Sequence, residues 1–345
     1  MSTVANGQLK TTVYRIAFLL GSVCLIYYGK SLLIPLVIAA LLSLMLHPLQ
    51  EWLRRKGWRK GWSIAACLLS LILFFGGIAA VVSTQAVKFV QDWPEIQQNI
   101  NKQVTALEDK VGQLPGFTPG EGSSAGAGNS FPLSINTVRS TLGNTLSIAG
   151  NFLLMLVYVV LLLAEKNRLY QFVLRRASDA SRSKAQTAIN DSRDVAINYL
   201  KGRLILIGVL SICYAIGFTV SGIKYGLLLA VLAAILSVIP YLGNIIGGGI
   251  ALVIVFANGG GTTQMLGIII TMSLVQPLES YVLTPMIFKE QVDINPLSTI
   301  ISVVGFGLLW GAIGAVVAIP LVAILRVVGE KIEPLQDFAY LLGTK

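Results

Sequence analysis

Between residues 225 and 288 the chain runs for sixty-four positions with one charged side chain, Glu279. At 1.5 Å per residue, about 20 residues cross the hydrocarbon layer of a bilayer. The block is therefore too long for one crossing and too apolar to be a solvated surface. Other apolar runs cover 12–29, 31–47, 61–84, 141–164, 204–223 and 294–325. Charged residues make up 12% of the chain, against roughly 25% in soluble domains. This pattern predicts an all-α polytopic membrane protein with about eight transmembrane segments, two of them re-entrant helical hairpins.

The loops fix an orientation. Residues 49–60 carry Arg54, Arg55, Lys56, Arg59 and Lys60 against Glu51, and residues 165–203 carry nine Lys and Arg against four acids. Both read as cytoplasmic by the positive-inside rule. The stretch 85–140 has four basic and five acidic residues and reads as external. With 12–29 and 31–47 forming a tight pair around Gly29 and Lys30, both termini are expected in the cytoplasm and the protein in the cytoplasmic (inner) membrane. No small-residue cleavage site follows the first run, which is expected to remain as a membrane helix. The net charge of +10 lies in the short loops, so it points to a bilayer partner and not to nucleic acid.

Cys24, Cys67 and Cys213 lie far apart in apolar runs, without metal-ligand spacing, and read as small buried hydrophobes. His47, just before Pro48, reads as a helix-end residue. No cofactor or metal is implied.

In the outer stretch, Trp93, Ile96, Ile100, Val104, Leu107, Val111 and Leu114 recur at steps of three and four, one face of an amphipathic helix. It packs on the membrane surface, on its own protein or on a neighbouring subunit. The Gly, Ser and Pro-rich residues that follow read as a linker. The cytoplasmic stretch 165–203 has helical spacing and no catalytic constellation. The expected organisation is a scaffold over 1–84, the outer helix and linker over 85–140, the fourth span and cytoplasmic helices over 141–203, a transport unit over 204–330 and a tail over 331–345.

The block 225–288 divides where helix breakers cluster: at Pro240, Gly243 and Asn244, followed by three glycines, and again at Asn258 to Gly261. The first two pieces are short for full crossings. The uncharged run 294–325 is crowded with Gly305, Gly307, Gly311 and Gly314 and carries Pro320. Two hairpins entering from opposite faces satisfy both lengths and the charge rule, which then keeps Arg326 and Lys331 inside. Non-helical backbone at membrane depth is tolerated only against protein or water, and paired interrupted segments mark transport sites. The plainer alternative is that these glycines permit close helix packing.

Glu279 lies ten residues before Lys289, hence about 15 Å along a helix, near the bilayer midplane. A carboxylate at that depth is a candidate ion or substrate group, with a structural hydrogen bond as the alternative. Gln276 lies one turn away and Pro277 loosens the backbone. Asp293 and Asn295, followed by Pro296, read as helix caps.

The segments VIPYLGNIIGGGIALV, LVQPLESYVLTPMIF and NPLSTIISVVGFGLLWGAIGAVVAIPLVAIL, and the opening IPLVIAALLSLMLHPLQEWLRRKG, resemble the signature stretches of the AI-2E family of transporters, in order and over nearly the whole chain. The resemblance implies membrane transport. The family includes exporters of the quorum-sensing signal autoinducer-2 and members described as sodium or lithium/proton antiporters. It matches Pro240, Tyr241 and Gly243 to the family's turn, Gln276, Glu279 and Pro285 to its polar helix, and Gly311, Gly314 and Pro320 to its last glycine-rich motif. It also implies a homo-oligomer. Asn244 departs from a second proline common in relatives, and VLRRASDAS lacks a Leu-Pro often seen there.

The expected function is a secondary transporter, exporting a small polar solute such as autoinducer-2. The pathway residues are Glu279, Gln276, Pro240, Tyr241, Gly243, Asn244, Gly311 and Gly314. Pro277, Pro285, Pro296, Gly305, Gly307 and Pro320 act as hinges. Glu279 is expected to exchange H+, or Na+ in an antiporter. A non-transporting scaffold is the third reading. An enzyme is not expected, since the spans hold no paired aspartate, H-E-x-x-H or G-x-S-x-G motif, and no P-loop is present.

Overall fold

The structure, a computed structural model, describes residues 13–14, 17–18, 20–112, 145–178, 181–239, 242–288 and 294–344. The described residues form helices and turns, with no strand among them. A helical stretch over 20–28 leads to a turn at Gly29. Then come α1 (Lys30–Arg55), α2 (Lys60–Gly112), α3 (Thr145–Arg176), α4 (Arg182–Val220), α5 (Gly226–Leu236), α6 (Leu242–Ala257) and α7 (Thr262–Pro277). A π-helical turn, Leu278–Leu283, joins α7 to α8 (Thr284–Phe288), and α9 (Pro296–Lys331) and α10 (Gln336–Leu342) complete the chain. Among the described residues six helical stretches are long and apolar enough to cross a membrane: Lys30–Arg55, Lys60–Phe89, Ala149–Arg176, Arg182–Val220, Thr262–Phe288 and Pro296–Lys331. The protein is thus an all-α polytopic membrane protein.

One boundary differs from the sequence reading. The third span does not end at 84: α2 continues as one helix of 53 residues, about 80 Å long. The residues after 84 are polar, but no glycine or proline interrupts them before Pro94, so polarity alone does not end the helix. The basic stretch after 164 is helical as expected. It consists of the extended ends of α3 and α4, separated by a short break after Arg176.

The chain divides into two compact units. Unit 1 comprises Met1–Leu68, Asn151–Leu200 and Glu290–Lys345; unit 2 comprises Leu69–Gly150 and Lys201–Lys289. Residues 204–330, taken from the sequence as one transport unit, are divided between them.

Unit 2 is built on antiparallel helices. Trp93 and Ile96 of α2 are buried at 2% and 1% exposure. They pack into a core with Leu206, Leu210, Tyr214 and Phe218 of α4, Leu229 of α5 and Ile254 of α6. Over Trp93–Ile96 the outer amphipathic helix therefore covers its own protein; the side chains expected on the same face at Val104, Leu107, Val111 and Leu114 lie outside the described ones. Polar contacts fix the same edge. The Asp92 carboxylate accepts hydrogen bonds from Lys224 Nζ at 2.8 Å and from the Tyr225 hydroxyl. Gln85 Oε1 accepts from the Leu228 amide at 2.8 Å, so a side chain of α2 satisfies one of the amides that the first turn of α5 leaves open. Tyr225, which precedes α5, is the one non-glycine residue with positive φ (62°) among the described residues.

In unit 1 the α9 core residues Trp310 and Val317 pack on Leu41 of α1, and Trp310 Nε1 donates to the Ile26 carbonyl at 3.0 Å. His47 lies within α1, 3.3 Å from Glu51 one turn on.

Candidate functional site

Glu279 sits in the π-helical turn that follows Pro277. Proline has no amide to return to the preceding turn, and the helix widens immediately after it, with the Thr284 amide donating to the Glu279 carbonyl. Such π turns occur often at functional sites. The widened turn sorts its side chains sharply. Glu279 is 8% exposed while Tyr281 is 82% exposed, and Gln276 and Ser280 are also exposed. Among the described residues no other carboxylate is buried. Glu279 also lies within electrostatic reach of the fully buried Tyr214.

The depth of Glu279 within unit 2 follows from helix register. Close approaches of Gly267 to Ser221, Gly217 to Thr271 and Gly202 to Ile287 align α4 against α7 and α8 in antiparallel fashion. That register sets Glu279 opposite Val209 and Leu210, in the middle of the apolar part of α4. The sequence expected this depth from Lys289 alone.

The α5–α6 hairpin meets the same level. Gly247 packs against the Ala233 backbone, and Gly243 sits so close to the Leu236 carbonyl that no Cβ fits there. These two glycines let α6 fold back onto α5. Gly248 touches Met272 of α7 on another face of α6. Six residues separate Gly248 from Leu242 at the start of α6, and seven separate Met272 from Glu279. The carboxylate is therefore level with the N-terminal end of α6, the positive end of its dipole. At the far end of α5 the Arg203 guanidinium donates to the Ser237 carbonyl. A buried carboxylate, a helix N-terminus and an arginine thus converge on one end of the hairpin. Pro240 and Tyr241 lie outside the described residues. Asn244 lies in the first turn of α6, and Pro285 within α8.

Unit 1 holds the second interruption. Gly311 has φ 67° and ψ −151°, non-helical values inside α9. There the chain turns back: Gly314 lies against the Phe306 carbonyl, and Gly307 faces Ala315. In a straight helix the eight residues from 306 to 314 would span about 12 Å. Of the four glycines crowding this run, Gly311 alone has a positive φ; Gly305 and Gly307 are helical and Gly314 serves close approach. Pro296 occupies the first turn behind the Asn295 cap, whose Oδ1 accepts from the Ser298 amide at 2.7 Å. Pro320 is buried in the second limb. The expected pathway residues are thus divided, Glu279, Gln276, Gly243 and Asn244 in unit 2 and Gly311 and Gly314 in unit 1. The contacts made by Arg203, Gln85 and Asp92 had no signal in the sequence, because each partner lies at least 34 residues away.

Apolar spans, two interrupted helical hairpins and a buried carboxylate beside one of them define a membrane transport protein. The AI-2E family transporter model matches residues 16–333, and the chain belongs to that family. It is similar to YrrI of Bacillus subtilis, named as a candidate transport protein, with 26% identity over 86% of each chain. It is also similar to PerM of Escherichia coli K12, named as a candidate permease, with 27% identity over 88% of each chain. YueF of Bacillus subtilis, another candidate transport protein, is 22% identical over 87% of this chain and 84% of its own.

Proposed function

We propose that this transporter exports a small polar solute of the autoinducer-2 kind, and that Glu279 exchanges a proton during the cycle. The observation that supports this reading is the burial of Glu279 in a π-helical turn, level with the tip of the α5–α6 hairpin. A carboxylate at membrane depth is costly, by at least ~2.5 kcal/mol on insertion scales, and is retained where its charge state has a use. The N-terminal end of α6 and Arg203 bring positive potential to the tip, which suits a polar or electron-rich ligand. The loop charges support an inner-membrane location with both termini on the cytoplasmic side.

The test is transport in proteoliposomes under an imposed pH gradient, with autoinducer-2 and sodium supplied in parallel, for wild type and Glu279→Gln. Proton-linked solute movement that disappears in the variant supports the reading. Sodium movement in place of solute movement would establish a cation/proton antiporter. Equal transport by both proteins would reduce Glu279 to a structural role.

A further inference from the structure

Unit 1 contains a cavity of about 680 Å³ beside the Gly311 bend. Its walls are largely apolar, with Ile34, Ile38, Met155, Leu308 and Trp310 among the lining side chains, and the bend from Gly307 to Gly311 forms part of them. Tyr27, Ser31 and Asn151 add neutral polar groups. Lys30 is the one charged residue among the described lining, and no acid accompanies it.

These walls do not suit a hydrophilic solute. A polar molecule leaving water needs its hydrogen bonds replaced, and this lining offers few. The combination that fits is an apolar chain with an anionic end. Lys30 opens α1 immediately after the turn at Gly29, the expected membrane boundary, where a lysine places its stem along apolar surface and its ammonium at headgroup level. Its Nζ lies 5.1 Å from the Tyr27 ring centroid and has no carboxylate partner among the described residues. A basic side chain at headgroup level attracts anionic lipid heads by about 1 kcal/mol, and the volume is within the range of ligand cavities.

We propose that this cavity holds an anionic bilayer phospholipid, with Lys30 at its phosphate and an acyl chain against Ile34, Ile38, Met155 and Leu308. The seated chain touches the Gly307–Gly311 backbone, so occupancy favours the bent form of α9.

The test is photo-crosslinking on the full-length protein in vesicles, using phosphatidylglycerol or phosphatidylcholine with a photoactivatable acyl chain. Labelled peptides are located by mass spectrometry. Labelling of 307–313 should be about fivefold stronger with phosphatidylglycerol, the preference one basic residue confers. Lys30→Gln, at an exposed position that leaves folding intact, should erase that preference. Met155→Trp, which fills the cavity, should suppress labelling by both lipids. Equal labelling by the two lipids in wild type, or a preference that survives Lys30→Gln, would overturn the proposal. So would oleate that displaces phosphatidylglycerol completely at equal concentration, which would assign the cavity to a free fatty acid.

Discussion

Asn295 Nδ2 donates to the Leu341 carbonyl at 2.7 Å, linking the first residue before α9 to the last turn of α10. The Asn295 amide also donates to the Leu342 carbonyl at 2.9 Å, and Nδ2 reaches the Gly343 carbonyl at 3.1 Å. Gly329, near the other end of α9, packs closely against Ala339. A straight helix of 36 residues would hold its ends about 54 Å apart. Here both ends reach one seven-residue helix, which is the independent geometric sign that α9 doubles back at Gly311.

Asn295→Ala should therefore lower stability by about 1–3 kcal/mol, from the lost cap and the lost donor contacts. Asn295→Asp keeps the acceptor for Ser298 and loses the Nδ2 donors, so it should fall between wild type and alanine. Thermal unfolding of the purified protein, followed by tryptophan fluorescence, orders the three. Equal stability of Asp and Ala variants would show that the cap contributes nothing.

Gly311→Ala tests the bend by conformation alone. Open space surrounds the position, but the backbone is left-handed, so a side chain is strained by about 1–3 kcal/mol. Gly305→Ala also meets open space on helical backbone, and should stabilise by about 0.5–1 kcal/mol. Opposite signs in the same unfolding assay are expected. Two variants of the same sign would mean that the glycines share one role.

Much of this was legible beforehand, and the limit was physical. The crowding of Gly305, Gly307, Gly311 and Gly314 located the second interruption. Composition cannot tell a helical glycine from one with positive φ, so the residue at which the hairpin turns was not assigned. The tip at Gly243 was legible because Pro240 and the following glycines leave α5 too short to cross. Glu279 stood out because it is the one charge in its block. Its π turn did not, since that turn depends on how Pro277 is accommodated by the helix around it. The contact from Asp92 to Lys224 joins residues 132 apart, a separation at which single-chain periodicity carries no information.

Gly243→Ala should disrupt the first hairpin, because the added methyl would meet the Leu236 carbonyl and the Ser237 backbone. Gly249→Ala on the same helix meets open space and should be tolerated. Transport in proteoliposomes should be lost in the first and retained in the second. Retained transport in Gly243→Ala would show that the hairpin relaxes without cost.

The Asp92 cluster predicts a pH response. Hydrogen bonds from Lys224 and Tyr225 hold the Asp92 carboxyl below its usual range. The bond to Asp92 raises Lys224 above its usual range, and burial raises Tyr225. A depressed carboxylate stabilises the fold above its unfolded pKa of about 3.9 and loses that effect as pH falls through the lower folded value. The raised lysine acts until pH climbs past its ordinary value of about 10.4 and on through the folded one. Amide exchange around 224–228 should therefore be slow and flat from pH 5 to pH 9, after correction for intrinsic rates, and protection should fall below about pH 4. Asp92→Asn should show reduced protection at neutral pH. A variant as protected as wild type would remove the cluster from the account of this edge.

The bond from Gln85 to the Leu228 amide carries a consequence for biogenesis. An eleven-residue helix is about 16 Å long, too short to partition into a bilayer by itself. Chains fold from the N-terminus as they are made, so α2 leaves the ribosome well before α5. The carboxamide that serves the first turn of α5, and the Trp93–Ile96 face that covers it, are then already in place. The α5–α6 hairpin enters the membrane as a guest of an earlier helix, and the order of synthesis becomes part of how unit 2 is assembled.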